Sequence, residues 1–387
     1  MEPFPKLPER LLLGPGPSNV PTRVLEALSR PLLGHLDPVF VSLMNEIQDL
    51  CRAVFETQNP LTIPISGTGS AGMETAVLNF VSPGDRVLVG VHGVFGGRIA
   101  ECARRAGGEV TTVEAPFGEP LQPDDLLRTA NEISPSLIAV VHAETSTGVL
   151  QPLEPIAEIA RQQDALLLVD AVTSLGGHPV SVDARGIDIC FSGTQKCLNC
   201  PPGLSPVTIS PRAAERFVKQ CRSWYLDLSL VSSYWGSERT YHHTAPISMN
   251  YALREALAIV IEEGLERRWA RHQKHHLALV AGIEGLGLQM HVQEGFRLWS
   301  LNTVQIPPGI DDGRLRGSLL QDFNIEIGGG LGSLAGRVWR IGTMGINSSP
   351  QPILFFLHAL EKCLVAQGCR CSPGSGLRAA GEFLADS

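Results

Sequence analysis

No stretch of this 387-residue chain approaches the roughly 18 uninterrupted apolar residues that a membrane-spanning helix needs, so no membrane span is expected. The opening MEPFPKLPERLLLG has acid and proline where a secretory leader has a basic region and an apolar core. Export is therefore not expected, and a cytoplasmic location is. Positive charge is also short. With 31 basic against 39 acidic residues the net charge is -8, which leaves no electrostatic footprint for nucleic acid or anionic lipid. A small-molecule substrate is the better expectation. The nine cysteines sit mostly inside apolar runs such as Ile189-Cys190-Phe191, the pattern of reduced, buried thiols. Cys197 and Cys200 form a C-x-x-C, but no second pair has matching spacing, and Cys369 with Cys371 is only C-x-C, so no metal site is expected. Internal repeats and low-complexity tracts are missing too.

What is present is the mixture of a loop-rich globular α/β protein: 43% hydrophobic and 18% charged residues, with 40 Gly and 28 Pro. At roughly 100 to 200 residues per domain, the length predicts two domains. Asp37-Pro38 opens a helix, since Asp can cap and Pro fits the first turn, and Phe40, Leu43, Ile47, Leu50 and Val54 follow at helical spacing. From about residue 60, short apolar runs alternate with helical patterns: LTIPIS, VLVGV at 87, EVTTVEA at 109, SLIAVVHA at 136, ALLLVD at 165, IDICFSG at 187 and LSPVTIS at 204, with helices such as 73–81 and 153–162 between them. Strands apolar along their whole length, separated by helices, predict a mostly parallel central sheet with helices on both faces. A single long helical pattern over 249–280 leads into a smaller α+β unit with strands at 301 and 338. The expected division is an N-terminal arm 1–18, a large domain 19–265, a small C-terminal domain 266–370 and a loosely ordered tail 371–387.

Three features point to chemistry. The first is Ser66-Gly67-Thr68-Gly69-Ser70-Ala71-Gly72, between a strand and a helix, where glycines permit a tight turn and a helix N-terminus offers free N–H groups to a phosphate. The same glycines spell G-x-G-x-x-G, so a dinucleotide site or a plain turn stays open on this motif alone. The second is Asp170, ending the strand ALLLVD at the carboxyl edge, where open parallel sheets bind ligands. A cap of a following turn or a pair with a surface base is the other reading. The third is Lys196, just past the strand IDICFSG and so on that same edge, where desolvation would lower its pKa and make it an imine-forming amine. A phosphate cradle, a carboxylate and a lysine together answer the needs of pyridoxal phosphate: an anchor, a partner for the ring nitrogen and an imine link. No other common cofactor asks for that set.

The ordered motifs LLLGPGPSN at 11, SGTGSAGMETA at 66, HAETSTGVLQP at 142, LLLVDAVTSLGG at 166, SGTQKCLN at 192, YHHTAP at 241 and VWRIGTMG at 338 closely resemble the alanine-glyoxylate aminotransferases, which belong to the fold type I pyridoxal-phosphate enzymes. The likeness covers nearly all of residues 10 to 365. It implies that Lys196 forms the Schiff base and Asp170 binds the pyridine nitrogen, with Val172 on one ring face, Phe95 on the other and Thr145 on the ring hydroxyl. It implies Thr68, Gly69, Ser70 and Gln195 as phosphate ligands, with Tyr241 and Thr244 reaching in from a second subunit of a homodimer whose active sites are shared. Arg340 would grip the substrate carboxylate, a task suited to a guanidinium fork, with Gly16 and Thr145 close by. On residue type alone, Arg340 reads also as a strand arginine, Phe95 as a core aromatic and the Tyr241 segment as a packed interface. His242 and His243, adjacent on an extended segment, would face opposite ways and hold no metal.

Some positions depart from the family pattern. Phe95 stands where many relatives have Trp, the chain is a few residues shorter between 211 and 224, and Ala385-Asp386-Ser387 is not a peroxisomal address. The expected reaction moves an amino group from a small amino acid, alanine or serine, to glyoxylate in two half-reactions with ping-pong kinetics. The alternative is another fold type I enzyme: an aminotransferase for a different substrate, phosphonate or ureido compounds included, or a lyase or desulfurase.

Overall fold

The computed structural model describes residues 5–386; positions 1–4 of the expected arm and Ser387 of the expected tail lie outside the described residues. Seven strands stand where the apolar runs predict them: β1 (Leu61–Ser66), β2 (Arg86–Val91), β3 (Glu109–Glu114), β4 (Leu137–Val141), β5 (Leu166–Asp170), β6 (Ile189–Phe191) and β7 (Leu204–Ile209). They form one sheet in the order β1-β7-β6-β5-β4-β2-β3. Only β7 runs against its neighbours. The side chains of β4 to β7 are buried on both faces, which is why these strands are apolar rather than alternating.

Helix α1 (Pro38–Phe55) leads into β1, and between the strands run α2 (Gly69–Leu78), α3 (Val94–Arg105), α4 (Pro123–Ile133) and α5 (Glu154–Gln162). Asp37 caps α1 by accepting from the Val39 N–H at 2.8 Å. Phe40, Met44, Ile47, Cys51 and Val54 are its buried stripe, while the expected Leu43 and Leu50 sit at the edge of it, half-buried. Helix α2 starts four residues before the predicted 73, because the glycine turn is itself its first turn.

The single helix expected over 249–280 is two, α6 (Ile247–Glu263) and α7 (Leu265–Gly285). Gly264 between them has φ +83°, a left-handed conformation that no right-handed helix continues through and that glycine adopts without a Cβ penalty. Beyond it, β8 (Leu301–Gln305), β9 (Gly328–Gly329) and β10 (Val338–Gly342) form an antiparallel sheet in the order β8-β10-β9. It is followed by α8 (Pro350–Ala366) and α9 (Ser375–Asp386). The tail is thus helical, not loosely ordered: Ala380 is fully buried, and Gly376 sits against Leu286 so closely that a Cβ would meet its side chain at 2.7 Å. The Gly- and Ser-rich opening is the turn into that helix, and Leu377 and Ala380 carry the packing.

Buried apolar side chains gather mainly in two clusters. One includes Phe55, Leu88, Ile138, Leu168 and Leu253, and the other Leu279, Val304, Leu319, Trp339 and Phe356. The segment Leu11–Leu12 joins the second region, pairing in parallel with Ile325–Glu326, and the Leu12 carbonyl accepts from Asn347 Nδ2 at 2.9 Å. Among the described residues no helix is long and apolar enough to cross a membrane.

Candidate functional site

Strands β1, β4, β5 and β6 run the same way, so the segments leaving their carboxyl ends meet on one edge of the sheet. A cleft of about 680 Å³ opens there, lined among others by Thr68, Gly69, Ser70, Phe95, Thr145, Asp170, Val172, Gln195 and Lys196. Nine residues singled out along 128 positions of sequence therefore share one cavity.

The glycines after β1 have separate physical jobs. Gly67 has φ +145°, and a Cβ on Gly72 would collide with Ser205, so α2 can lie directly on the sheet only with glycine there. Thr68 precedes the helix without a side-chain capping bond, leaving its hydroxyl and the Gly69 and Ser70 N–H groups for a ligand, while the Ala71 N–H donates to the Thr68 carbonyl at 2.7 Å. The dinucleotide reading of G-x-G-x-x-G fails on topology. It needs the strand after the helix to pair with the strand before it, whereas β7, β6, β5 and β4 all lie between β1 and β2.

Asp170 ends β5 and is 5% exposed. Its Oδ1 accepts from the Val172 N–H at 2.8 Å. Burial, with the nearby Glu144 carboxylate, pushes its pKa up to about 7, and the Val172 N–H and Lys196 pull only partly the other way. This carboxyl lacks the strong cationic partner that would hold it ionised. Lys196 is 9% exposed and donates through Nζ to the Pro15 carbonyl. Burial, and secondarily the Arg340 guanidinium, lower its pKa to about 8. Gln195 Oε1 is buried without a hydrogen-bond partner, an acceptor in need of a donor.

The N-terminal segment clasps the lysine. A Cβ on Gly16, at φ +101°, would lie 2.7 Å from Lys196 Nζ, and Asn199 Nδ2 donates to Ser18 Oγ at 2.9 Å and to the Asn19 carbonyl at 3.0 Å. Gly16 touches the lysine without lining the cleft. Arg340 on β10 also stands just behind the cavity wall: its Nε donates to the Gly329 carbonyl at 2.7 Å and its Nη1 to the Thr145 carbonyl at 3.1 Å. It is 7% exposed and, among the described residues, no carboxylate forms an ion pair with it. A buried guanidinium bonded only to carbonyls is ready for an anion.

Tyr241 and Thr244 are exposed and do not line the cleft of their own chain; the tyrosine hydroxyl lies 3.4 Å from Thr244 Oγ1. His242 and His243 do not face opposite ways. Their Nδ1 atoms are 2.8 Å apart, because the segment is an irregular turn after Arg239 at φ +51° and not a strand. A run of hydrogen bonds joins Ser66 Oγ to His243, His243 to His242, and His242 to the Trp224 carbonyl, which ties this loop to the end of β1. Burial and His242 lower the His243 pKa to about 4, so the imidazole is neutral.

Sequence reasoning missed Glu144, which is fully buried beside the cleft. An acid ending the apolar run AVVHAE is the signal that could have found it, on the same ground that singled out Asp170.

The chain matches the family model described as aminotransferase class-V over residues 10–333. It is 39% identical to the (S)-ureidoglycine-glyoxylate transaminase of Bacillus subtilis, over 96% of this chain and 95% of that one. It is 40% identical to the alanine-glyoxylate aminotransferase of Callithrix jacchus, over 92% and 88% of the two chains. Among solved structures, an alanine-glyoxylate aminotransferase from Nostoc sp. superimposes with a TM-score of 0.92 at 50% identity, covering 94% of this chain and 97% of that one.

Proposed function

The chain belongs to the class V aminotransferases, pyridoxal-phosphate enzymes, and from that premise we propose that it transfers the amino group of alanine or serine to glyoxylate. The observation that carries the reading is the meeting of Lys196, Asp170 and the Thr68-Gly69-Ser70 turn in one cleft. The residues fit the cofactor. Asp170 wants a cation and a protonated pyridine nitrogen is one; the Thr68 hydroxyl and the leading N–H groups of α2, at Gly69 and Ser70, are donors placed for a phosphate.

Lys196 would hold the cofactor covalently, Thr145 its ring hydroxyl, and Thr68, Gly69, Ser70 and Gln195 its phosphate, with Val172 and Phe95 on the two ring faces. When bound, the cofactor supplies the aldehyde that takes up the amino group and a ring that delocalises the electron pair left at the substrate α-carbon. Arg340 orients the substrate carboxylate, with Gly16 and Thr145 beside it. Lys196 Nζ would serve as the base that takes the substrate α-proton and gives it back; a pKa near 8 leaves a useful fraction neutral at physiological pH. Asp170 would hold the proton on the ring nitrogen. Tyr241 and Thr244, exposed here, complete the phosphate site of a second copy in a homodimer.

The first apolar cluster supports residues 19–265 as one unit; the second covers 279–364 and also takes in Leu13 and Ala380, so the second unit is wider than 266–370. Nine free thiols support a reducing, cytoplasmic setting. A desulfurase would need a cysteine nucleophile at the cleft, whereas Cys197 and Cys200 are buried and burial raises both thiol pKa values.

One second reading has a specific observation behind it: the Bacillus subtilis relative is named for (S)-ureidoglycine as donor. Steady-state rates with glyoxylate or pyruvate as acceptor, against a panel of alanine, serine and ureidoglycine, decide between them. Lys196→Ala should abolish both turnover and the borohydride-reducible cofactor link. An active Lys196→Ala enzyme refutes the site.

A further inference from the structure

Helix α3 carries Phe95 in its first turn, and three of its leading N–H groups are bonded from outside the helix. Val94 N donates to Ser146 Oγ at 2.9 Å, and Phe95 N and Gly96 N donate to Glu144 Oε2 at 3.1 and 3.3 Å. The other carboxylate oxygen, Oε1, accepts from Ser146 N at 3.0 Å and Ser146 Oγ at 2.6 Å. Glu144 thus takes four hydrogen bonds, all from donors, the pattern of an ionised carboxylate at a positive helix end. Among the described residues it has no ion pair. Gly93 leaves it room, since a Cβ there would run into the Glu144 side chain.

The residue between the two clamping side chains is Thr145, whose carbonyl accepts from Arg340 Nη1. One clamp therefore fixes an aromatic of the cleft, a cleft hydroxyl and the buried guanidinium together. We propose that Glu144 is a positioning residue of the transamination site, clamping Phe95, Thr145 and Arg340 into one rigid wall and placing a fixed negative charge beside Asp170 and Lys196. This deepens the reading of Lys196, Phe95 and Arg340 given above and rests on it. Burial raises the pKa of the Glu144 carboxyl itself, and the donors from Ser146, Gly96 and Phe95 pull it back down; ionised, it adds to the burial that raises the Asp170 pKa and works against the burial that lowers those of Lys196 and Arg340.

Glu144→Gln keeps the volume and removes the charge, while turning one donor toward donors. Loaded with pyridoxal phosphate, it should show a cofactor Kd raised on the order of tenfold. The pH midpoint of its visible absorption band should fall by about half a unit, because a carboxylate that favours the protonated lysine nitrogen is gone. The donor KM should rise through Arg340. Ser146→Ala removes part of the clamp and none of the charge, so Kd should rise with the midpoint unmoved. Should Glu144→Gln not fold, Glu144→Asp, which keeps the charge on a shorter arm, should likewise weaken cofactor binding at an unchanged midpoint. A folded Glu144→Gln with wild-type Kd and midpoint overturns the proposal, as does Ser146→Ala or Glu144→Asp with wild-type Kd. A wild-type protein whose bound cofactor is not fixed to Lys196 by borohydride would instead overturn the assignment of that lysine, so the two failures are distinct.

Discussion

The hydroxyl of Ser18 donates to the main-chain carbonyl of Lys196 at 2.8 Å, and the Ser18 N–H donates to the Gln195 carbonyl at 3.0 Å. A residue of the N-terminal segment therefore holds the backbone of Lys196, while Pro15 and Gly16 meet its side chain.

Ser18→Ala removes that hydroxyl and leaves the Asn199 amide without one of its acceptors in a buried setting. Urea unfolding should show a loss of about 1–3 kcal/mol. Faster cofactor release on dialysis should accompany it; an unchanged release rate would mean that the clasp plays no part in holding the site.

Arg340→Lys keeps the charge and discards the fork. An ammonium cannot bond the Gly329 and Thr145 carbonyls and still present two parallel donors to a carboxylate. The donor KM should rise roughly tenfold or more, with a smaller change in kcat. Equal KM values for the two enzymes would remove Arg340 from substrate binding.

Asp170 gives a pH signature in the cofactor-free protein. Its pKa is raised from 3.8 to about 7, so the native state keeps a proton that the unfolded chain has lost. That contribution to stability is complete below pH 3.8 and disappears as pH climbs through about 7. Asp170→Asn, neutral at every pH, should flatten this part of the stability profile, and adding pyridoxal phosphate to wild type should do so as well, by supplying the missing cation. Identical profiles for wild type and variant between those pH values would contradict the assignment.

Sharing of sites between subunits is checked by mixing. Lys196→Ala supplies intact Tyr241 and Thr244, and a Tyr241→Ala, Thr244→Ala double variant supplies an intact lysine. Hybrid dimers reassembled from the two should transaminate faster than either parent alone. No gain on mixing, with hybrid formation verified by mass spectrometry, would mean that each chain completes its own site.

The main sheet was legible because β4 to β7 are buried on both faces and so announce themselves as continuous apolar runs. Asp170 and Lys196 were legible for the same reason, as polar residues at the ends of such runs. The break at Gly264 was not, since a glycine within a helical pattern does not reveal a positive φ. Helix α9 was hidden by its Gly-Ser opening, and the pairing of His242 with His243 by a backbone turn that composition does not encode. Glu144 escaped because its partners are backbone N–H groups of another segment, which a sequence does not display.

The bond from Asn347 to the Leu12 carbonyl has a consequence for biosynthesis. The segment that braces the lysine is synthesised before it, yet the partners Ile325, Glu326 and Asn347 are synthesised more than a hundred residues after it. Contacts this distant in sequence form late and slowly. A nascent chain stalled before residue 325 would already contain Lys196, Asp170 and the whole main sheet but not the partners that anchor the brace, so full closure around the lysine waits for residues 325–347 and not for the completion of the sheet.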